Sequence, residues 1–505
     1  MRYPSIVHLL VAASHAVAFV PLPSPRSRSS FAPSIIPVDD GGGGFVVVHN
    51  IIIPHPHHHP SSSSSPPRSP LRASSSSSSS RPAIDVGEFS PRNVRGLESW
   101  GTSNGVQMIE GLQLYTEDDG SDYQYVTTVD IPAGTTIMYI PSEMCLSSSI
   151  VAIELGNMSN GGLASSVDQL TRIGGQNSIA DYHLFLKLLV EYERGEGSPY
   201  LPYLDSLPRL YFNSISMTDF CYECLPPLVF SLSRLERVKY DNFRQVLGKV
   251  DFISDYTKGD EAVLKWAFNS VYTRAYADKD GQGTDVTITP VGDMFNHGTM
   301  TEVEVYFDGP GGNAMVYTTR DVPANSPLRI SYGCPTNPSF LFARYGFLDE
   351  TSPATFCKIM DIPRTPENVD MGMDFSRMLF YHETGDISQE VLDVVLYAKV
   401  LANLKSSPET DGYKQAFYQA HMQGDEGTKA GIHEQFRYET LSAIKKHVDT
   451  FLESLDALEK KSYGKSLEEH PRLPLILKHN QFVKQTFLKV QANLEAAGVG
   501  VMEYA

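Results

Sequence analysis

The sequence predicts an α+β protein: two blocks of short strands separated by a helical block, followed by an all-α C-terminal domain. Three observations carry this reading. Residues 302–307, Glu-Val-Glu-Val-Tyr-Phe, alternate at period two, Asp308-Gly309-Pro310-Gly311-Gly312 turns, and residues 313–318 alternate again, which is a β-hairpin. Leu184, Phe185, Leu188, Leu189 and Tyr192 share one face of a helix over residues 181–194. Leu441, Ile444, Val448, Phe451, Leu455 and Leu458 repeat at three-four spacing, and residues 475–494, just after Pro474, form another helical stretch.

From the start, residues 1–20 read as a secretory signal: Arg2, an apolar run too short for a confident span, and the small-residue pattern Ala16-Val17-Ala18. Phe19 and a Ser/Pro/Arg-rich stretch follow. This resembles the two-part presequences of algae with complex plastids, so plastid import is expected, with plain secretion as the alternative. Residues 21–85 carry runs of glycine and serine and many prolines. They cannot bury enough apolar surface to offset ordering entropy and are expected to be disordered. His55, His57, His58 and His59 read as part of that polar tract rather than as a metal site. No later segment reaches eighteen consecutive apolar residues, so the mature chain is expected to be soluble, without a membrane span. It is also expected to be a monomer.

The chain has 505 residues, enough for two or three domains, and a net charge of −18. Residues 1–81 hold six Arg and two Asp, leaving 35 basic against 57 acidic residues in the remainder. So acidic a body disfavours non-specific binding to nucleic-acid phosphates and suits a basic protein partner. Five cysteines, an odd and sparse set, argue against a disulfide framework. Cys221-Tyr222-Glu223-Cys224 lacks the second ligand pair that a structural zinc needs.

Folding is expected to begin near residues 94–100. Strands are expected at 106–109, 112–115, 123–128 and 136–140. Thr127-Thr128-Val129-Asp130-Ile131-Pro132-Ala133-Gly134 is echoed by Thr318-Thr319-Arg320-Asp321-Val322-Pro323-Ala324-Asn325, each a tight turn between two strands. Residues 150–275 read as helices. A third strand of the later block is expected at 328–332. Two polar constellations bracket this block: Asp293-Met294-Phe295-Asn296-His297, and Ile330-Ser331-Tyr332-Gly333 followed by Asn337, Leu341 and Tyr345-Gly346-Phe347.

This set resembles the SET-domain protein methyltransferases, and most of all the branch of the Rubisco lysine and actin-histidine methyltransferases. Pro199-Tyr200-Leu201 with Leu207-Pro208, and Trp266 with Arg274, are similar to that branch's helical insertion. The resemblance implies a SET fold of small sheets with a knot-like crossing over residues 90–350, a helical insertion at 150–275, and a helical substrate-binding domain at 355–505. It implies S-adenosyl-L-methionine as cofactor, held by Asn296, His297 and Tyr332. It implies Tyr332 as the catalytic tyrosine, orienting the acceptor nitrogen. Arg274, Asp293 and Tyr345 are implied near the substrate, Tyr345 lining the lysine channel. The substrate is expected to be a non-histone protein, since the Cys-rich zinc segments frequent in histone-directed enzymes are absent from the sequence.

One departure bears on activity. The family's Gly-x-Gly-Leu element falls on Asp122-Tyr123-Gln124-Tyr125, and Glu110-Gly111-Leu112-Gln113-Leu114 lies a dozen residues too early to replace it. Side chains then stand where backbone normally approaches the cofactor. Either the acidic insertion at Glu117-Asp118-Asp119-Gly120 rebuilds the loop, or the site is impaired. The rival reading is therefore a catalytically silent SET-fold scaffold that binds a protein partner.

Overall fold

The computed structural model describes residues 83–117, 122–277, 285–333, 336–374, 376–405 and 412–499. The signal-like start, nearly all of the low-complexity stretch with its histidines, most of the acidic insertion and Cys334 lie outside the described residues.

Among the described residues the strands form five small sheets instead of one large one. In the four-stranded sheet, Gln107–Met108 pairs with Thr136–Ile140, which pairs with Ala314–Thr318, which pairs with Val303–Phe307, all antiparallel. The early and late strand blocks therefore share one sheet although about 170 residues separate them. The echoed turns explain how they meet. Asp321 Oδ1 accepts from the Ala133 amide at 2.8 Å, and Asp130 Oδ1 accepts from the Ala324 amide at 2.7 Å. Ile131 and Val322 exchange backbone hydrogen bonds between them, 2.8 Å each way. Each turn thus satisfies the other's donors, which a repeat of this kind allows.

Helices from Ser148–Met158 through Glu261–Arg274 fill the space between the strand blocks. Tyr182, Phe185, Phe243 and Phe268 pack against one another with ring centroids 5.0–5.5 Å apart for the Tyr182–Phe243, Phe185–Phe243 and Phe243–Phe268 pairs. Asp260 caps the last of these helices, accepting from the Ala262 and Val263 amides, and the helix ends at Arg274 because Ala275 turns extended into the strand Tyr276–Ala277. That end delivers Arg274 to the site.

A second apolar core belongs to the C-terminal helices, chiefly Arg437–Ser462 and Leu473–Ala496. Phe451 stacks on Phe487 at 4.5 Å between them. Pro474 lies inside the first turn of the last helix, where a missing amide costs nothing. The region is helical but not purely so: Ala354–Phe356 pairs with Leu379–Tyr381 in a small sheet. Three-residue strands are too short to show a period of two. The expected strand at 328–332 is also shorter, reduced to Arg329–Ile330. No helix among the described residues is long and apolar enough to cross a membrane.

Candidate active site

Asn296–His297 and Arg329–Ile330 lie side by side as parallel strands, and the Gly298 amide donates to the Ile330 carbonyl at 2.9 Å. The hairpin between them makes the crossover. Parallel pairing carries the chain onward, so Tyr332 arrives beside His297, and the two rings lie 5.5 Å apart. The Tyr332 amide donates to His297 Nδ1 at 3.1 Å, and its hydroxyl donates to the Phe295 carbonyl at 2.8 Å. Burial pushes this phenol far above its ordinary range, although the charge of Arg274 opposes the shift. Near neutrality it is a hydrogen-bond donor and not a base.

Tyr345 ends the helix Pro338–Tyr345 and donates to the Tyr332 carbonyl at 3.2 Å, with the rings 4.7 Å apart. Gly346 then reverses the chain at φ 77°, and a Cβ there would sit 2.4 Å from the Asn213 amide nitrogen. Only glycine fits this close approach. The reversal brings Phe347 onto His297 at 5.6 Å, closing an aromatic cluster of His297, Tyr332, Tyr345 and Phe347.

Arg274 and Asp293 meet one another on the inner side. Arg274 donates to the Asp293 carbonyl at 3.0 Å and stands 3.3 Å from Asp293 Oδ2, which also accepts from the Tyr203 hydroxyl at 2.6 Å. Burial raises the Asp293 carboxyl against the pull of Arg274 and Tyr203. The turn carrying Asp293 begins at Val291, a β-branched residue at φ 75°, a strained conformation that this packed surrounding holds in place.

Asn296 donates from Nδ2 to Asp122 Oδ2 at 3.3 Å. Of the four residues at the departed glycine element, Tyr125 is fully buried and packs on Phe295 at 4.5 Å, so it points into the core. Tyr123 lies under the Arg92 guanidinium at 5.0 Å. Gln124 is half-buried and Asp122 exposed. Arg92 was not legible from the sequence: it precedes the first strand, and only the fold brings its charge close to Asp122 and Arg274. Burial, then the repulsion of Arg274, lowers its pKa to about 10. Asp349 was missed likewise; its Oδ2 lies 3.4 Å from His297 Nε2. The six residues singled out from the sequence thus fall into two adjoining groups, Arg274 with Asp293, and Asn296 and His297 with Tyr332 and Tyr345. Among the described residues no group of three or more His, Cys, Asp or Glu is placed to hold a metal ion.

Residues 123–333 match the family model of the SET domain. No curated protein matches the sequence. Among solved structures, the SET domain of LSMT bound to lysine and AdoHcy is similar at TM-score 0.51 and 14% identity, over 81% of this chain and 93% of that one. Rubisco LSMT bound to AdoMet is similar at 0.50 and 16% identity, over 83% and 95%. Rubisco LSMT bound to sinefungin and monomethyllysine gives 0.51 and 15%, over 82% and 95%. At these identities the likeness is one of fold.

Proposed function

We propose that the protein, whose residues 123–333 match the family model of the SET domain, is an S-adenosylmethionine-dependent methyltransferase acting on the side-chain nitrogen of lysine in a protein substrate. The observation that carries this is the Tyr332 hydroxyl, held on the Phe295 carbonyl within a cluster of aromatic rings beside Asn296. The SET-fold neighbours bound to AdoMet and to lysine support the same reading.

The residues present fit the cofactor. Arg274 Nε and Asp293 Oδ1 are buried polar atoms without a hydrogen bond of normal geometry. Arg92 offers a cation for a carboxylate, and Asn296 with Asp122 offers an amide and an anion for an ammonium group. Bound there, S-adenosylmethionine supplies a methyl group on a cationic sulfur. The chain does the rest by position and field. Tyr332, donating to Phe295, holds its hydroxyl and the Phe295 carbonyl together, and oxygens so placed favour a positive methyl in transit. The rings of Tyr345 and Phe347 exclude water from the nitrogen. A lysine in water, pKa ~10.4, is neutral in only about one molecule in 10³ near pH 7. Loss of hydration inside the cluster disfavours its charged form and raises that fraction.

One observation favours the silent-scaffold reading: Asn296 is already engaged by Asp122, in place of a glycine. Labelled S-adenosylmethionine, the protein and a plastid extract decide between them. Labelled methyl-lysine in an acid hydrolysate supports the enzyme; methyl-histidine would change the acceptor; no label with folded protein would favour the scaffold. The plastid is chosen, and a non-histone substrate inferred, on the strength of the sequence patterns alone.

A further inference from the structure

The His297 imidazole is 3% exposed, and its two nitrogens face different parts of the chain. Nδ1 accepts from the Tyr332 amide at 3.1 Å. A ring that accepts at Nδ1 carries its proton on Nε2 when neutral. Nε2 makes no hydrogen bond of normal geometry, yet it lies 3.4 Å from Asp349 Oδ2, on a side chain 9% exposed. A shift of a few tenths of an ångström closes that gap to hydrogen-bond length.

Asp349 is held from several sides. The Thr299 hydroxyl donates to Oδ2 at 2.5 Å, and the Thr351 amide and hydroxyl donate to Oδ1 at 2.9 and 2.6 Å. Burial opposes the charged carboxylate, but His297 and these donors outweigh it and keep the pKa well below the carboxylate range. A fixed anion therefore faces the buried ring nitrogen opposite the one that Tyr332 uses.

We propose that Asp349 is a positioning residue for this site: it fixes the His297 tautomer that accepts the Tyr332 amide, and so sets where the Tyr332 hydroxyl stands. The reason is electrostatic. The opposite tautomer would turn a lone pair toward the carboxylate and an N–H toward the Tyr332 N–H, two repulsive contacts in a buried place. Asp349 lies two residues beyond Tyr345-Gly346-Phe347, so the segment after the last aromatic reaches back to lock the first polar element. The catalytic part of this inference rests on the methyl-transfer reading.

The test is nitrogen NMR of the full chain labelled in histidine, with His297 assigned by its loss in His297→Gln, together with turnover, read as transfer of label from S-adenosylmethionine to protein of a plastid extract. Wild type should show a bare Nδ1 and a protonated Nε2. Asp349→Asn should show mixed tautomers and a label-transfer rate about 10-fold lower at unchanged KM for S-adenosylmethionine, with Asp349→Glu restoring part of both. An unchanged His297 signature in Asp349→Asn overturns the proposal, including where the melting temperature alone falls. Should that variant not fold, Thr299→Val with Thr351→Val frees the carboxylate to rotate, and the same two outcomes apply. Absence of turnover in wild type would sink the methyl-transfer reading, while the nitrogen signals would still decide the role of Asp349.

Discussion

The Tyr332 hydroxyl donates to the Phe295 carbonyl at 2.8 Å, joining the strand end after the crossover to the element before it. Tyr332→Phe removes this donor while leaving the ring and the amide bond to His297. Methyl transfer should fall by about 10²-fold or more, the scale of losing one preorganised donor at a reacting centre. Cofactor affinity should change little. Single-turnover rates beside calorimetric Kd values separate the two.

Gly346 stands at φ 77°, with backbone atoms of Phe212 and Asn213 where a Cβ would go. Gly346→Ala should cost more than about 1 kcal/mol in stability and displace Phe347 from His297. Denaturant melts measure the first effect. Loss of the Phe347 ring-current shift on His297 measures the second.

Arg274 and Asp293 form a pair with side chains 12% and 1% exposed. Arg274→Ala leaves a buried carboxylate with Tyr203 as its remaining hydrogen-bond partner and should cost about 3 kcal/mol. Adding Asp293→Asn should recover part of that loss, since the amide needs no counter-charge. A double-mutant cycle by chemical denaturation checks the sign of the coupling.

Lys358 Nζ donates to Ser339 Oγ at 2.6 Å, and Ser339 Oγ meets His479 Nε2 at 3.1 Å, joining the helix Pro338–Tyr345 to the last helix. Burial pushes the Lys358 pKa down to about 7 and that of His479 down to about 3. An unfolded lysine titrates near ~10.4. Between these values the unfolded chain binds the proton and the folded chain does not, so stability from this group rises with pH and is lowest below pH 7. Lys358→Met should raise the melting temperature more at pH 7 than at pH 9. An equal change at both pH values would contradict a neutral buried lysine.

Much of this architecture was legible in the sequence because it rests on local chemistry. The hairpin of Val303–Phe307 and Ala314–Thr318 follows from alternation, and the long helices from their apolar stripes. The echo around Asp130 and Asp321 marked two related turns, but not that each carboxylate serves the other turn, since that depends on tertiary placement. The parallel pairing of Asn296–His297 with Arg329–Ile330 involves two residues a side, too few for any period. Arg92 had no motif around it and Asp349 stands just past one, and only the fold brings them to the site. Tyr125 looked obstructive at a glycine-linked position, yet its side chain turns into the core against Phe295.

The most direct test is calorimetric titration of the chain with S-adenosylmethionine, beside Asn296→Ala. The methyl-transfer reading predicts saturable one-site binding, weakened at least about 10-fold in Asn296→Ala, the loss of one charge-assisted contact. No binding to protein shown to be folded, or equal binding in the variant, would contradict it; the first result would mean that Asp122 and Gln124 close the site and that the fold serves as a scaffold.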